Sequence, residues 1–356
     1  MTGVQEKSSG PVRVMVVDDS SVVRGFLRSF LENDPDIKVT DAVANGRAAL
    51  EALGRASPDV VLLDLEMPVM DGMTALPLLL AAKPGLAVII ASTKTRENAA
   101  LALRCLGLGA IDCLGKPSAH EMQDATAFRR DLVQRVKQLG RGRLQQKVSA
   151  PVFLRPPSPL KVVNAPEAVA LCSSTGGPQA LMRLFGDMGA LPVPVFVTQH
   201  MPAAFTAILA ENIASSTGLD CREAVNGEEV QAARIYIAPG DFHLTVRRAG
   251  AQKVISLTQT VAENYCRPSA DPMLRSLADA YSGKVLAVVL TGMGTDALEG
   301  CRLVAEQGGT VLAQDEASAV VWGMPGAVVA AGLCDEIVPL AHMAESVIRR
   351  MKGGKT

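Results

Sequence analysis

Short apolar runs alternate with amphipathic segments through the first third of the chain. Five runs predict β-strands, at 12–17, 39–44, 60–63, 87–91 and 111–114. Between the first two runs, apolar residues recur at helical spacing from Val22 to Leu31, which gives one apolar stripe able to cover a sheet face. Five β/α repeats in this length predict an α/β domain with a flavodoxin-like (βα)5 doubly wound sheet, in which ligands bind at the carboxyl ends of the strands.

A second α/β pattern fills the last half of the chain. Strands are predicted at 168–171, 193–197, 235–238, 254–257, 285–290 and 310–312, and helices near 178–188, 203–215, 271–281 and 297–307. The pattern predicts a doubly wound, mostly parallel α/β domain over residues 165–350. The first pattern predicts a domain over residues 11–135.

The segment between these two domains has a different composition. Residues 140–163 contain four prolines and five basic residues without one acidic residue, which discourages regular structure. We therefore expect a linker over residues 136–164, whose charge either is simply solvated or docks on an acidic surface. Residues 1–10 are polar and are expected to be disordered, and residues 351–356 form a tail.

Charge and composition exclude several classes of function. With 35 Lys and Arg against 36 Asp and Glu, and only 3% aromatic residues, the chain has neither the charge nor the stacking residues for binding nucleic acid. The first ten residues lack the apolar stretch of a secretory signal, and no apolar run approaches about 18 residues, so membrane insertion is not expected. The seven scattered cysteines include no C-x-x-C pair, which favours free thiols in a reducing cytoplasm.

Acidic residues follow two of the first five predicted strands. Asp18 and Asp19 come directly after strand 12–17, and Asp64 comes directly after strand 60–63. If these strands are neighbours, three carboxylates meet at one sheet edge, and such oxygen ligands suit Mg²⁺. An Asp beside the metal can attack a phosphoryl donor, with Ser92 as a hydroxyl donor and Lys116 as a positive charge. Taken singly, each residue is equally consistent with a helix cap or a solvated loop charge.

Taken together, these strand ends resemble those of the response-regulator receiver domain. The matching motifs are VVDDS, LLDLEMPVMDG, AST and GKP, within residues 11–135. The resemblance implies that Asp64 accepts the phosphoryl group, that Asp18, Asp19 and Asp64 hold Mg²⁺, and that Ser92 and Lys116 contact the phosphoryl group.

Three residues at predicted strand ends of the second half suggest acyl transfer. Ser174 lies in the Gly-rich turn SSTGGP that opens a helix, His200 follows the second strand of that half, and Asp296 lies after strand 285–290. A serine on a strand-to-helix turn exposes its hydroxyl, while a His–Asp pair supplies a general base. Each residue also has a structural interpretation, since Ser174 could cap a helix, His200 could be a core histidine, and Asp296 could begin a D-x-x-E capping box. His243 is a weaker candidate base and is interpreted as structural.

The same segments resemble the CheB family of chemotaxis protein-glutamate methylesterases. The matching stretches are SSTGGPQAL, VTQHMPAAFT, IYIAPGDFHL, CRPSADPML, VLTGMGTDALEG and QDEASAVVWGMP. The resemblance implies a catalytic triad of Ser174, His200 and Asp296, with oxyanion donors from the backbone around Thr175 and Met293, and no cofactor in this domain.

The resemblance also implies a function and its regulation. The expected enzyme demethylates γ-glutamyl methyl esters on chemoreceptors, and deamidates receptor glutamines in some members of the family. A chemotaxis histidine kinase would phosphorylate Asp64 and so loosen an inhibitory packing of the receiver.

Two departures from the family pattern leave an alternative open. Cys172 and Ala297 stand where the family usually has Gly, and a Cβ at Cys172 would crowd the turn. If that turn is degraded, the chain would be a receiver-controlled receptor-binding module without catalysis. A transcription regulator and a nucleotide-binding domain fit less well, because the sequence shows no helix-turn-helix pattern and the SSTGGP loop lacks the Lys of a P-loop.

Overall fold

The computed structural model describes residues 10–93, 95–117, 125–145, 165–189 and 191–352. Almost all of the predicted disordered N-terminus, most of the predicted linker and the last four residues lie outside these ranges. The chain forms two compact units, one of residues 1–94 and 104–151 and one of residues 95–103 and 152–356.

The first unit is a five-stranded parallel sheet with strand order β2-β1-β3-β4-β5, which confirms the predicted flavodoxin-like (βα)5 fold. Its elements are β1 (Val12–Val17), α1 (Ser21–Glu32), β2 (Ile37–Val43), α2 (Gly46–Ala56), β3 (Val60–Leu63), α3 (Gly72–Ala82), β4 (Ala87–Thr93), β5 (Asp112–Lys116) and α5 (Thr126–Gln145). Helix α4 (Arg96–Gly107) lies between β4 and β5 in the chain, and its residues 96–103 belong to the second unit.

Local sequence explains where the first three helices begin. The side chains of Ser20, Asn45 and Asp71 each accept a hydrogen bond from the backbone N–H three residues later, as N-caps do. Each capping residue lies in the segment between the carboxyl end of a strand and the next helix. The cap therefore fixes the point at which the chain turns into that helix. Strand β3 is wholly buried, as expected for a parallel sheet covered on both faces.

Helix α5 extends into the segment predicted to be a linker. Leu132, Val136 and Leu139 recur at helical spacing and are all buried, so the helix is held by packing well beyond residue 135. The linker prediction therefore does not hold for residues 136–145, which are helical despite two glycines and several basic residues. Residues 146–164 lie outside the described ranges.

The second unit is built on a seven-stranded parallel sheet with strand order β14-β13-β12-β6-β7-β9-β8, beside an antiparallel hairpin of β10 and β11. Its strands are β6 (Ala168–Ser173), β7 (Val195–Gln199), β8 (Asp220–Glu223), β9 (Arg234–Ile237), β10 (His243–Ala249), β11 (Gln252–Thr258), β12 (Val285–Val289), β13 (Thr310–Gln314) and β14 (Glu336–Val338). Its helices are α6 (Gly177–Asp187), α7 (Ala203–Thr217), α8 (Ala270–Ala280), α9 (Leu298–Glu306), α10 (Met324–Ala330) and α11 (Leu340–Met351).

The strand order places a switch point at the centre of this sheet. The chain runs from β6 to β7 on one side, while β12 pairs with the other side of β6. Ligands of doubly wound sheets bind beyond the carboxyl ends of the strands at such a point. The doubly wound prediction is confirmed, and β8, β10, β14, α10 and α11 are additional elements that the sequence patterns did not predict.

The described residues contain no helix that is both long enough and apolar enough to cross a membrane.

Candidate active site and carboxylate cluster

Ser174 is the first residue after β6, in a turn that glycines make possible. Gly176 adopts a left-handed backbone with φ 77°, and a Cβ at Gly177 would lie 2.0 Å from Gln199 Oε1. The Gly177 N–H donates to the Ser174 carbonyl at 2.8 Å, which closes the turn before α6 begins. The serine is thereby fixed between a buried strand and a helix N-terminus.

Neighbouring strand ends converge on Ser174. Its N–H donates to the Thr291 carbonyl at 3.1 Å, and Gln199 Nε2 donates to its carbonyl at 2.9 Å. A Cβ at Gly292 would lie 3.0 Å from Ser174 Cβ, so the loop after β12 packs directly against the serine. The carboxyl ends of β6, β7 and β12 therefore meet here, as the sequence predicted.

His200 and Asp296 form a buried pair at this edge. His200 Nε2 lies 2.6 Å from Asp296 Oδ2, and both side chains are almost fully buried. The His200 N–H donates to the Ser173 carbonyl at 3.1 Å, which anchors the histidine beside the serine turn. Because an ionised carboxylate only accepts hydrogen bonds, the proton of the neutral ring lies on Nε2, and Nδ1 is the basic nitrogen.

Asp296 is held by a dense set of donors. Besides His200, its oxygens accept hydrogen bonds from Ser269 Oγ (2.7 Å), Asn264 Nδ2 (3.0 Å) and the backbone N–H groups of Ala270 (2.7 Å), Ala297 (2.9 Å) and Asp271 (3.2 Å). So many donors stabilise the carboxylate form, which fixes the orientation of the imidazole.

These contacts set the protonation of the pair. Burial by itself would raise the pKa of Asp296, but the hydrogen bonds from His200, Ala270 and Ser269 lower that pKa below its usual range. Burial would lower the pKa of His200, but its contacts with Cys266 and Asp296 raise that pKa well above the usual value. Burial and the charge of Asp296 raise the pKa of the neighbouring Asp271 carboxyl to about 6.

The third member of the expected triad is close in the fold but is not hydrogen-bonded to the base. The Ser174 hydroxyl makes no hydrogen bond to the part of the chain that the structure describes. His200 Nδ1 instead contacts Cys266 Sγ at 3.4 Å. The structure therefore assembles the His–Asp half of the triad and places the serine beside it.

Backbone donors are available next to Ser174. Within the described residues, the N–H groups of Thr175 and Met293 make no hydrogen bond, and both lie in the loops that meet at the serine. Unpaired N–H groups next to a nucleophile are the donors that an oxyanion needs.

The two departures from the family pattern have different structural settings. Cys172 lies within β6, fully buried in the apolar core with Ala170 and Cys301, and its backbone is not left-handed. Its side chain packs into this core two residues before Ser174. Ala297 has φ 75°, a left-handed backbone that favours glycine.

Several residues of the site were missed by sequence reasoning. Asn264, Cys266 and Ser269 precede α8 and reach Asp296 and His200 from a segment with no strand-end signal. Only the stretch CRPSADPML marked this region, and it did so without assigning roles. His243 accepts a hydrogen bond from the Ser269 N–H at 3.1 Å through Nδ1, which agrees with its structural interpretation.

The carboxylate cluster of the first unit also forms at strand ends. One ligand oxygen from each of Asp18, Asp19 and Asp64 lies within 4.8 Å of the others, and no other such cluster occurs among the described residues. Lys116 Nζ contacts Asp18 Oδ2 and Asp64 Oδ2, both at 2.7 Å. The predicted carboxylates and lysine are therefore brought together.

Burial shapes the chemistry of Asp64. Desolvation raises the pKa of its carboxyl to about 6, although Lys116 opposes this shift. Ser92 is fully buried as part of β4, rather than in the loop after it, and pairs with Gly115 of β5. Three clustered oxygens with one exposed member, Asp19, match the hard oxygen set that Mg²⁺ prefers while retaining waters.

Comparison with known proteins identifies two family models in the chain. A CheB methylesterase profile matches residues 169–347, and a response regulator receiver domain profile matches residues 14–127. The chain is 47% identical to protein-glutamate methylesterase/protein-glutamine glutaminase 1 of Rhodospirillum rubrum, over 96% of this chain and 95% of that protein. It is 49% identical to protein-glutamate methylesterase/protein-glutamine glutaminase of Azospirillum brasilense, over 94% of this chain and 91% of that protein.

The second unit is also similar to a solved structure. The crystal structure of the Thermotoga maritima CheB methylesterase catalytic domain matches with a TM-score of 0.51 and 38% identity, covering 52% of this chain and 99% of that chain.

Proposed function

The chain belongs to the CheB methylesterase family and is a protein-glutamate methylesterase with a receiver domain, and from this premise we propose that Ser174, His200 and Asp296 carry out its hydrolysis. The substrate is a γ-glutamyl methyl ester, and glutamine side chains are deamidated by the same chemistry. The observation that carries the proposal is the buried His200–Asp296 pair at 2.6 Å beside the Ser174 turn.

Acylation begins with the Ser174 hydroxyl. Its oxygen attacks the ester carbonyl carbon while its proton moves to Nδ1 of His200, the ring nitrogen that Asp296 does not contact. The N–H groups of Thr175 and Met293 donate to the oxyanion that develops. The imidazolium then returns the proton to the departing methoxide, and methanol leaves.

Deacylation uses the same base. A water molecule attacks the acyl-serine carbonyl, His200 takes its proton, and glutamate is released as Ser174 regains its hydrogen. For a glutamine substrate the first leaving group is ammonia, and the remaining steps are unchanged. Asp296 stays ionised throughout, which its six donors favour.

We further propose that the carboxylate cluster regulates this activity. Asp64 would accept a phosphoryl group, and Asp18, Asp19 and Asp64 would hold Mg²⁺, which would supply positive charge against the incoming phosphoryl oxygens. Lys116 contacts Asp64 at 2.7 Å and would pair with the new phosphoryl oxygens, and the Ser92 hydroxyl would donate to one of them. Phosphorylation then shifts the enzyme toward its active state.

The biological setting follows from the two activities together. We propose that a chemotaxis histidine kinase is the phosphodonor, that methylated chemoreceptors are the substrate, and that the enzyme acts in the cytoplasm in chemotactic adaptation. The alternative is a receiver-controlled binding module without catalysis, and the buried His200–Asp296 pair beside the Ser174 turn favours hydrolysis over it.

The direct test is methanol release from methyl-esterified receptor membranes. Ser174→Ala should reduce the rate by about three orders of magnitude or more, since loss of a triad nucleophile leaves only oxyanion and binding effects. Ser215→Ala, an exposed serine on α7, is the control and should behave as the wild type. If Ser174→Ala releases methanol at the wild-type rate, Ser174 is not the nucleophile.

A further inference from the structure

A cysteine thiol lies against the ring nitrogen of His200 that Asp296 leaves free. Cys266 Sγ is 3.4 Å from Nδ1, while Nε2 is 2.6 Å from Asp296. Cys266 is half-buried in the segment between β11 and α8. The structure thus contains a Cys–His–Asp arrangement that shares its histidine and aspartate with the proposed catalytic triad.

The shared histidine has only one basic lone pair. With its proton on Nε2, the neutral ring accepts a hydrogen bond at Nδ1 alone. The thiol occupies that position, and the Ser174 hydroxyl makes no hydrogen bond within the described ranges. In this arrangement the partner of the base is the thiol and not the nucleophile.

We propose that Cys266 is a positioning residue of the esterase, whose thiol holds the basic nitrogen of His200 and competes with Ser174 for it. The inference rests on the proposed role of His200 as the general base. A thiol is a weaker donor than a hydroxyl, so Ser174 displaces it at a modest cost when substrate binds. Cys266 therefore lowers the fraction of enzyme in which Ser174 is ready to attack.

The backbone before Cys266 is strained. Asn264 and Tyr265 both have left-handed backbones, with φ 51° and 63°, a conformation costly for residues other than glycine. Asn264 Nδ2 donates to Asp296 Oδ1 at 3.0 Å and to Asp271 Oδ2 at 2.9 Å. This turn is therefore tied to the same carboxylate that orients His200, and Cys266 follows it directly in the chain.

Cys266 differs in this respect from the other cysteines. Five of the seven are buried, and burial raises the pKa of the half-buried Cys334 thiol to about 12. Cys266 is the cysteine that contacts an imidazole among the described residues. Cys334 is thus a control cysteine, also half-buried and without an imidazole contact among the described residues.

The first test compares methanol release by Cys266→Ala, Cys266→Ser and Cys334→Ala. Removing the competing donor should raise kcat of Cys266→Ala about two- to ten-fold near neutral pH, the range expected for one neutral hydrogen bond. The pH at which its activity begins should also shift, because the titratable groups on the ring are Cys266 and Asp296, with Asp271 behind Asp296, and only Cys266 is lost. Cys266→Ser replaces the thiol with a stronger donor and should lower kcat below that of the wild type, whereas Cys334→Ala should stay close to the wild type.

The second test needs no change at Cys266. With iodoacetamide, the Cys266 sulfur forms a bond to the methylene carbon, the carbon–iodine bond breaks, iodide leaves, and the thiol proton passes to Nδ1 of His200. At pH 7 the alkylation of Cys266 should be at least about tenfold faster in the wild type than in His200→Gln, as expected for a thiol beside a base. The alkylation rate of Cys334 should be the same in both proteins. Peptide mass spectrometry after timed quenching reports both rates.

The outcomes separate this inference from the proposed function. If Cys266→Ala melts like the wild type but has an unchanged or lower kcat and an unchanged pH profile, the competition does not exist. Equal alkylation of Cys266 with and without His200 would also overturn it. Both results leave the function standing, provided that Ser174→Ala is inactive, whereas an active Ser174→Ala removes the function itself.

Discussion

Ala297 shows how a single residue stores strain beside the reaction centre. Its left-handed backbone, φ 75°, begins α9 directly after Asp296, and its N–H donates to Asp296 Oδ1 at 2.9 Å. The contact that stabilises the carboxylate therefore requires a backbone that alanine adopts at a cost of about 1 kcal/mol.

Replacing this alanine by glycine should relieve the strain. We expect Ala297→Gly to stabilise the second unit by about 0.5–1 kcal/mol, because relief of the strained left-handed backbone outweighs the loss of one buried methyl group. Urea unfolding followed by circular dichroism measures the change. The control Ala305→Gly, inside α9, should destabilise by about 0.5–1 kcal/mol, since glycine there only adds flexibility. A lower stability for Ala297→Gly would show that the left-handed backbone is not a source of strain.

The protonation of His200 predicts a pH dependence at the same scale. Its contacts with Cys266 and Asp296 raise its pKa well above the usual value, despite burial that acts in the opposite direction. A general base works only when neutral, so raising the pH through this pKa converts an inactive imidazolium into the active base. Esterase activity should therefore rise with pH through a midpoint above about 6.5, the ordinary histidine value.

The measurement is kcat/KM for methanol release between pH 5.5 and 9. Asp296→Asn should move the midpoint downward, because it removes a negative charge from the ring, and should lower kcat by roughly 10³–10⁴-fold. A wild-type midpoint at or below about 6.5 would contradict the raised pKa.

At the scale of the elements, strand ends explain which site residues the sequence could predict. Ser174, His200 and Asp296 follow apolar runs that had to be buried parallel strands, so their convergence followed from topology. Asn264, Cys266 and Ser269 could not be placed in this way, because their contacts join a turn to residues 27 to 66 positions away without any periodic pattern.

The elements that the sequence patterns did not predict were missed for identifiable reasons. Strands β8 and β14 lie at the two edges of the sheet and are short and partly exposed, so they lack an apolar run. Helix α11 is different, because Met343, Val347 and Met351 are buried at a spacing of four residues, a helical signal present in the sequence. The sequence also could not show which ring nitrogen of His200 carries the proton and which is basic, because neighbouring side chains determine the tautomer.

The extension of helix α5 gives a prediction about stability. Leu139 is buried four residues beyond the predicted end of the first domain. Leu139→Ala should destabilise the first unit by about 2–4 kcal/mol through lost burial and an incompletely filled cavity. Gln134→Ala, exposed on the same helix, is the control and should change stability by less than about 0.5 kcal/mol. Chemical denaturation of the full chain measures the stability of both variants. If Leu139→Ala is as stable as the wild type, the prediction of a linker over residues 136–145 would stand.

At the scale of the whole molecule, two sites with different chemistry lie in one chain. Under the proposed roles, the carboxylate cluster takes a phosphoryl group and the serine site attacks the ester, and the serine site has no clustered metal ligands among the described residues. A phosphoryl group on Asp64 can affect hydrolysis only by changing the populations of active and inactive enzyme. Such couplings between sites are typically worth about 5- to 150-fold.

This coupling is testable with a small acyl phosphate as phosphodonor. With Mg²⁺ present, the phosphodonor should raise wild-type methanol release by about 5- to 150-fold, and Asp64→Asn should give the same rate with and without it. Glu51→Gln, an exposed carboxylate on α2 outside the cluster, is the matched control and should respond like the wild type. Chelating Mg²⁺ should abolish the wild-type response, because Asp18, Asp19 and Asp64 would then repel the donor. A response that persists in Asp64→Asn would place the regulatory phosphoryl group elsewhere and leave the serine chemistry untouched, since no step of hydrolysis passes through Asp64.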